Sequence, residues 1–300
     1  MIQTDWTTIA TQIAEVSGQP FTPVTTEPLA GGCINQAWHL QGEAGSYFVK
    51  LNSVKHQEMF AAEMDGLQAM AKTNTIKVPR PICYGTTANH AYLVLEYLDL
   101  KRGSANNGDL ASDRLGELLA AMHQCTAPHF GWHRNNTIGS TEQINRQSDD
   151  WVSFWSQHRL AYQLELAAQN GHYGRLQQRG EKLLGVIGQL LDGHYPQPSL
   201  LHGDLWSGNY ALMGDGQPVI FDPASYYGDR ETDLAMTELF GGFSPRFYQA
   251  YRGAWPLDEG YQQRKILYNL YHILNHLNLF GDGYRSQAET MMARLLAELV

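Results

Sequence analysis

The sequence predicts an α+β chain of two lobes, a small β-rich lobe over residues 1–97 and a larger, mainly helical lobe over 98–300. Three observations carry that expectation. Short apolar runs broken by Gly and Pro crowd the first third of the chain. Beyond Leu98, apolar residues recur at helical spacing instead. The length, 300 residues, is enough to bury two coupled cores.

Each element follows in order. Within 4–17, Trp6, Ile9, Ile13 and Val16 fall at helical spacing and predict an amphipathic opening helix. Pro20, Pro23 and Pro28 then keep the chain extended. From Leu29 to Lys50 the pattern is strand, Gly31-Gly32 turn, strand, loop and strand, the last being Tyr47-Phe48-Val49-Lys50. A helix is predicted around 55–72, with Phe60, Met64, Leu67 and Met70 on one face, and Pro79 and Pro81 break it off. Residues 91–98 read as a strongly apolar strand, and Glu96–Leu98 is the expected joint between the lobes, with a cleft beside it. The stretches 110–124, 150–170, 175–193 and 261–280 read as helices. Short strands are expected near 199–201, 210–213 and 218–221, the last two joined as a hairpin by Gly214-Asp215-Gly216.

Charge and composition exclude several functions. A net charge of -9, with Lys and Arg scattered, argues against a nucleic-acid partner, which would need a basic stripe. Cys33, Cys83 and Cys125 fit no metal or disulfide spacing and suit a reducing compartment. The N-terminus lacks the basic start and apolar run of a signal peptide, and no apolar run has the length of a membrane span. The expectation is a cytoplasmic protein without a membrane partner; the oligomeric state stays open, with a monomer favoured.

The densest polar motif is Leu201-His202-Gly203-Asp204-Leu205-Trp206-Ser207-Gly208-Asn209, followed by Val219-Ile220-Phe221-Asp222. Phosphoryl transfer needs a carboxylate to orient or deprotonate the attacking hydroxyl, and oxygen ligands to hold Mg²⁺ against a triphosphate. Asp204 and Asn209 have the spacing of such a base and such a metal-binding amide. The hairpin is expected to return the Asp222 carboxylate beside Asn209, a pairing that suits a hard cation. Upstream, Gly31-Gly32-Cys33-Ile34-Asn35 sits between two strands, where small residues let backbone N–H groups approach phosphate oxygens. Lys50, ending an apolar strand, reads as a phosphate-binding lysine, and Glu63 on the next helix as its partner. Taken singly, Lys50 is also a solvated strand end and Glu63 an exposed helix face. The order of glycines, Lys, Glu, Asp, Asn and Asp is what favours the phosphoryl-transfer reading.

These motifs resemble the protein-kinase-like fold, and within its small-molecule branch the fructosamine kinase (ketosamine-3-kinase) family. Beyond the segments above, the resemblance rests on Phe221-Asp222-Pro223-Ala224, Tyr227-Gly228-Asp229-Arg230-Glu231, Glu238 to Phe243, Leu274-Asn275-His276-Leu277-Asn278, Gly131-Trp132, Asn136 to Gly139 and Asp150-Trp151-Val152. Trp206 after His-Gly-Asp-Leu is its specific mark. The resemblance implies Asp204 as catalytic base, Asn209 and Asp222 as Mg²⁺ ligands, and Lys50 with Glu63 on the ATP phosphates. It implies the backbone of Glu96 and Leu98 at adenine, and Asp233 as the acid that buttresses the catalytic loop. The implied reaction is phosphorylation of a sugar O3 on a ketosamine such as fructoselysine or ribuloselysine, a deglycation repair. Against protein kinases, Gly203 stands where the catalytic loop has Arg, and Asp222-Pro223-Ala224 where it has Asp-Phe-Gly. No phosphorylation-read activation segment is therefore expected, and a small-molecule acceptor is favoured.

Substrate contacts are more open. Asp229, Glu231, Asp233 and Glu238 crowd one segment and would attract a substrate ammonium, or else cap a following helix, the reading preferred for Asp233. Trp206 either stacks on a sugar face or packs locally. Asn275 and His276 are candidate polar sugar contacts. His272 and His276, four apart, lack the Glu of a zinc-protease helix and read as core or cleft histidines. Cys33 is either a small residue that fits its turn or a redox-sensitive thiol. The alternative functions are a kinase for an aminoglycoside or choline-like alcohol, and a silent nucleotide-binding pseudokinase.

Overall fold

A computed structural model describes residues 4–30, 34–102 and 109–299. The chain forms two compact units, Met1–Arg102 with Tyr210–Pro223, and Gly103–Asn209 with Ala224–Val300.

The first unit opens with helix α1 (Trp6–Ser17), capped where the Asp5 carboxylate accepts the Thr8 amide at 3.1 Å. Strands β1 (Pro23–Leu29), β2 (Gln36–Gly42) and β3 (Gly45–Ser53) follow, then α2 (Gln57–Lys72), β4 (Pro81–Thr86), β5 (His90–Glu96) and β6 (Leu100–Arg102). Five of these strands form an antiparallel sheet of order β1-β2-β3-β5-β4. On one face, Ile9, Ala10 and Ile13 of α1 pack into a core with Leu40, Val49, Leu51 and Val94. Val16 is 53% exposed, so the apolar stripe of α1 ends at Ile13. Helix α2 packs on β4 and β5 and buries Phe60, Leu67 and Met70. Each such side chain contributes roughly 1.5–3 kcal/mol, which a helix of this length needs because it would be marginal alone. The pleat sets the polar geometry. Val49 and Leu51 face the α1 core, so Lys50 between them points to the opposite face of the sheet.

The second unit begins with α3 (Asp109–His123) and a short hairpin of β7 (Asn136–Ile138) and β8 (Thr141–Gln143). Residues 150–170, expected as one helix, are α4 (Trp151–Trp155), a π-helical stretch over Ser156–Ala161 and α5 (Tyr162–Gln169). The wide turn carries Arg159, which is fully buried. Helix α6 (Arg175–Leu190) and β9 (Ser199–Leu200) come next. The chain then supplies the first unit with the expected hairpin, β10 (Tyr210–Met213) and β11 (Pro218–Ile220), in register Tyr210↔Ile220. Sequence order keeps this hairpin with the later residues. Its hydrogen bonds tie it to the earlier ones, β10 pairing with β6 and the Ile220 amide donating to the Lys77 carbonyl.

The second unit closes with β12 (Tyr227–Gly228), which pairs with β9, and with α7 (Glu231–Leu239), α8 (Pro245–Ala254), α9 (Tyr261–Phe280) and α10 (Arg285–Ala297). Helices α8 and α10 had no counterpart in the sequence reading. α9 is covered by α5, α7 and α10, so most of its residues are buried on every side. Among the described residues, no helix is long and apolar enough to cross a membrane.

Candidate active site

In the first unit the chemistry gathers at Lys50. Its ammonium is 2.5 Å from Glu63 Oε1 on α2 and 2.6 Å from Asp222 Oδ1, two residues past β11. Lys50 is only 4% exposed. Burial alone would lower its pKa; the charges of Asp222 and Glu63 overcome that and raise it, so the amine is held as ammonium. Burial, with the Asp222 charge, raises Glu63, and Lys50 opposes the shift. Asp222 is half-exposed and has φ +59°, a left-handed conformation that Asp tolerates better than most residues. This places Lys50, Glu63 and Asp222 in one ion-paired group.

The glycine turn is only partly in view: Gly31, Gly32 and Cys33 lie outside the described residues. Its following residues are fixed to β3, because Asn52 Nδ2 donates to Asn35 Oδ1 at 2.7 Å and to the Ile34 carbonyl at 3.2 Å. At the end of β5, the Glu96 carboxylate accepts from Lys77 Nζ at 2.6 Å and the Arg80 amide at 2.8 Å. That fixes the segment leading to Leu98, which is half-buried.

In the second unit, Asp204 and Asn209 meet. Asn209 Nδ2 donates to the Asp204 carbonyl at 2.9 Å and to its Oδ2 at 3.3 Å. The loop is anchored from α7. Asp233 Oδ2 accepts the His202 amide at 2.7 Å, and Oδ1 accepts the Gly203 amide at 2.8 Å. Burial pushes the Asp233 carboxyl up, but the hydrogen bonds from His123 and from the Gly203 amide outweigh it and hold its pKa below the ordinary value. Asp233 is thus an ionised carboxylate that grips two consecutive amides. Gly203 has φ +83°, and a Cβ there would lie 2.1 Å from the Ala224 carbonyl oxygen. Only glycine permits that turn. The Ala224 amide in turn donates to the His202 carbonyl at 2.9 Å.

The family model described as Fructosamine kinase matches residues 5–298. A Synechocystis protein named as a probable ketoamine kinase is 52% identical over 292 residues, covering 97% of each chain. The chain belongs to the fructosamine kinase family. An Arabidopsis thaliana chloroplastic protein-ribulosamine 3-kinase is 44% identical over 267 residues, 88% of this chain and 80% of that one. A Haemophilus somnus crystal structure bearing the name fructosamine-3-kinase superposes with TM-score 0.88 at 32% identity, covering 97% of both chains. The fold is the α+β, protein-kinase-like one that the resemblance implied.

The remaining family motifs have physical roles in the second unit. Trp206 is 39% exposed, and one side of its indole packs on Gly208, where a Cβ would lie 2.2 Å from ring atom Cη2. Gly242 has φ +99° and presses on Ser207, leaving no room for a side chain. Asp229 is 1% exposed, and its carboxylate is spent on His194 Nε2 at 2.7 Å, the Tyr268 hydroxyl and the Glu231 amide. Asn275 is 2% exposed, accepting from Gln163 and donating to the Ile138 carbonyl, both at 3.3 Å. Asp229, expected to attract a substrate ammonium, and Asn275, expected to touch the sugar, are thus both buried and engaged in the framework. His276 remains half-buried, its ring among Phe240, Phe280 and Tyr284. Its Nδ1 donates to the His272 carbonyl at 2.7 Å, and burial lowers its pKa.

Sequence reasoning missed a buried amide network that holds the Ala224 and Ser225 carbonyls. Arg159 Nη2 donates to Asn145 Oδ1 at 2.8 Å, and Asn145 Nδ2 to Asn136 Oδ1 at 2.8 Å. Asn136 Nδ2 then donates to the Ser225 carbonyl at 2.7 Å, and Gln143 Nε2 to the Ala224 carbonyl at 3.0 Å. The Arg159 guanidinium lies 4.1 Å from the Tyr226 ring centroid. The family-like Asn136–Gly139 segment was the one available signal; nothing in the sequence marked Arg159 as buried.

Proposed function

We propose that this protein is an ATP-dependent ketosamine kinase, transferring the γ-phosphoryl group of ATP to the sugar O3 of a fructosamine or ribulosamine. The observation that carries the reading is the Asp204 loop: a carboxylate beside an Asn amide, its backbone gripped by the ionised Asp233, in a member of the fructosamine kinase family. The first unit, to which residues 98–102 and the 210–223 hairpin also belong, acts as the ATP-binding lobe, and the second as the catalytic and substrate lobe.

Asp204 accepts the proton of the sugar hydroxyl as its oxygen bonds to the γ-phosphorus. The bond from that phosphorus to the β,γ-bridging oxygen breaks, and ADP leaves. Lys50, fixed as an ammonium, binds phosphate oxygens, and Glu63 keeps it oriented. The glycine turn through Ile34 and Asn35 covers the phosphates, and the backbone of Glu96 and Leu98 meets adenine. Asn209 and Asp222 present an amide and a carboxylate oxygen, the hard donors that Mg²⁺ prefers. When bound, the ion neutralises phosphate charge. Trp206, with one ring side on Gly208, offers the other to the sugar, and His276 lies among aromatic rings suited to the rest of the acceptor. The proposed setting is cytoplasmic, with a small glycated amine as the substrate.

The test is ADP release with Mg-ATP against fructoselysine, ribuloselysine, an aminoglycoside and choline. Turnover on a ketosamine, with phosphate mapped to O3, is expected. Turnover only on another alcohol would discard the ketosamine, and nucleotide binding without turnover would point to a pseudokinase. Asp204→Asn is expected to lower kcat about 10²- to 10⁴-fold while ATP binding persists.

A further inference from the structure

Asp233 does not hold the catalytic loop alone. His123, the last residue of α3, is fully buried, and its Nε2 lies 3.1 Å from Asp233 Oδ2. Its Nδ1 lies 2.7 Å from the Tyr251 hydroxyl on α8. Tyr251 is also fully buried, and its oxygen accepts from Arg230 Nη1 at 3.3 Å. The guanidinium is itself anchored, donating to the Trp255 carbonyl at 3.1 Å and to the Pro256 carbonyl, and lying 4.0 Å from the centroid of the Trp255 ring.

The chemistry of the ends sets the direction of every proton. Arg230 only donates, so Tyr251 accepts there and turns its own O–H toward His123 Nδ1. Asp233, ionised, only accepts, so His123 Nε2 carries the hydrogen. For a neutral His123 imidazole, one arrangement satisfies every contact: Arg230 to Tyr251, Tyr251 to His123, His123 to Asp233, with Asp233 accepting the His202 and Gly203 amides. A buried carboxylate that receives three donors has no second orientation of comparable energy.

We propose that His123 is a positioning residue for phosphoryl transfer, the middle member of a one-way hydrogen-bond relay that fixes Asp233 and, through it, the backbone that carries Asp204. The relay rests on the kinase reading only for its kinetic consequence. Its structural consequence, protection of two named amides, is independent of any acceptor.

The experiment compares wild type with His123→Leu, His123→Gln and Tyr251→Phe in the full chain. Hydrogen exchange at the His202 and Gly203 amides is read first. Exchange there is expected to rise about tenfold or more in His123→Leu, with the interior of α9 unchanged. The kcat of the same variant is expected to fall about 10- to 100-fold, as for loss of a hydrogen bond to a charged group, with KM for ATP nearly constant. Gln can place an N–H near the position of His Nε2, so His123→Gln is expected to recover most of the loss. A folded His123→Leu with kcat within twofold of wild type, or with unchanged exchange at both amides, would overturn the relay. So would a lower Tm with both readouts unchanged, since that is a merely structural role. Should His123→Leu not fold, Tyr251→Phe decides: it removes one hydroxyl, and unchanged exchange at both amides rejects the relay. A wild-type enzyme silent on every acceptor would reject the kinase reading and leave the exchange result to judge the relay.

Discussion

The Lys50 ammonium and the Asp222 carboxylate meet at 2.6 Å although 172 positions separate them in the chain. The contact joins the third strand of the sheet to the residue pair that leaves the β10–β11 hairpin, and Glu63 completes it from α2 at 2.5 Å. Asp222 holds a left-handed backbone to make it. That conformation costs about 1 kcal/mol for a non-glycine residue, which a hydrogen bond to a charged group offsets.

Removing the cation should therefore cost stability as well as activity. In Lys50→Met, the buried Glu63 faces Asp222 with nothing between them, and burial already pushes Glu63 toward its neutral form. A loss of about 3 kcal/mol is expected in urea denaturation at pH 7, the lower end for breaking a buried pair because Asp222 is half-exposed. Lys50→Met with Glu63→Gln should recover part of it. ADP release should fall about 10²-fold or more in both. Equal stability of Lys50→Met and wild type would show that the trio is not a buried ion pair.

Gly203→Ala tests the loop from the backbone side. A Cβ would lie 2.1 Å from the Ala224 oxygen, and φ would remain at +83°. Strain and overpacking together predict a cost of about 2–4 kcal/mol, measurable as a shift in the denaturation midpoint. The folded fraction should also lose turnover, because relief comes only by moving the residue that precedes Asp204. An alanine variant with wild-type midpoint and kcat would contradict the geometry.

Much of this was legible in the sequence, and unevenly so. Asp204, Asn209, Asp222, Lys50 and Glu63 stood out because phosphoryl chemistry restricts both residue type and order. The long helix over 261–280 and the hairpin at 210–220 stood out through periodicity and a Gly-Asp-Gly turn. Which unit the hairpin joins did not, since β10 pairs with β6, a strand more than a hundred positions earlier. The framework roles of Asp229 and Asn275 were hidden for a related reason. Both sit in family-like motifs, but their partners His194, Tyr268, Gln163 and Ile138 lie far away in sequence. The π-helical turn was invisible because its cause is tertiary: Arg159 packs among Phe154, Tyr226 and Tyr271.

Asp233→Asn removes the charge that grips two amides while keeping the shape. An Asn side chain has one acceptor oxygen for the His202 and Gly203 amides, and its NH₂ would face one of them. Losing a charge-assisted bond of this kind predicts a destabilisation of about 1.5–3 kcal/mol. The kcat should fall further than ATP affinity, since Lys50 and its partners are untouched. Comparable losses in kcat and in ATP affinity would instead indicate a general collapse of the chain.

His272 gives the pH dependence a definite sign. It is buried on α9, and burial, with smaller contributions from His276 and Arg159, lowers its pKa from 6.5 to about 3, Asp233 opposing. A base with a depressed folded pKa stays unprotonated in the native state while the unfolded chain takes up a proton below pH 6.5. Stability is thus lost as pH falls from about 6.5, and the loss levels off near 3. At pH 5 the contribution is about 2 kcal/mol. His194 works in the opposite direction: burial would lower its pKa, but the hydrogen bond and charge of Asp229 and the charge of Glu231 outweigh it and raise it, so its stabilisation is complete below 6.5 and is lost as pH rises through the folded value. Urea denaturation of wild type and His272→Gln at pH 7 and pH 5 separates the two. Wild type should lose about 2 kcal/mol more than the variant on acidification, whereas parallel losses would mean that His272 is protonated in the folded protein.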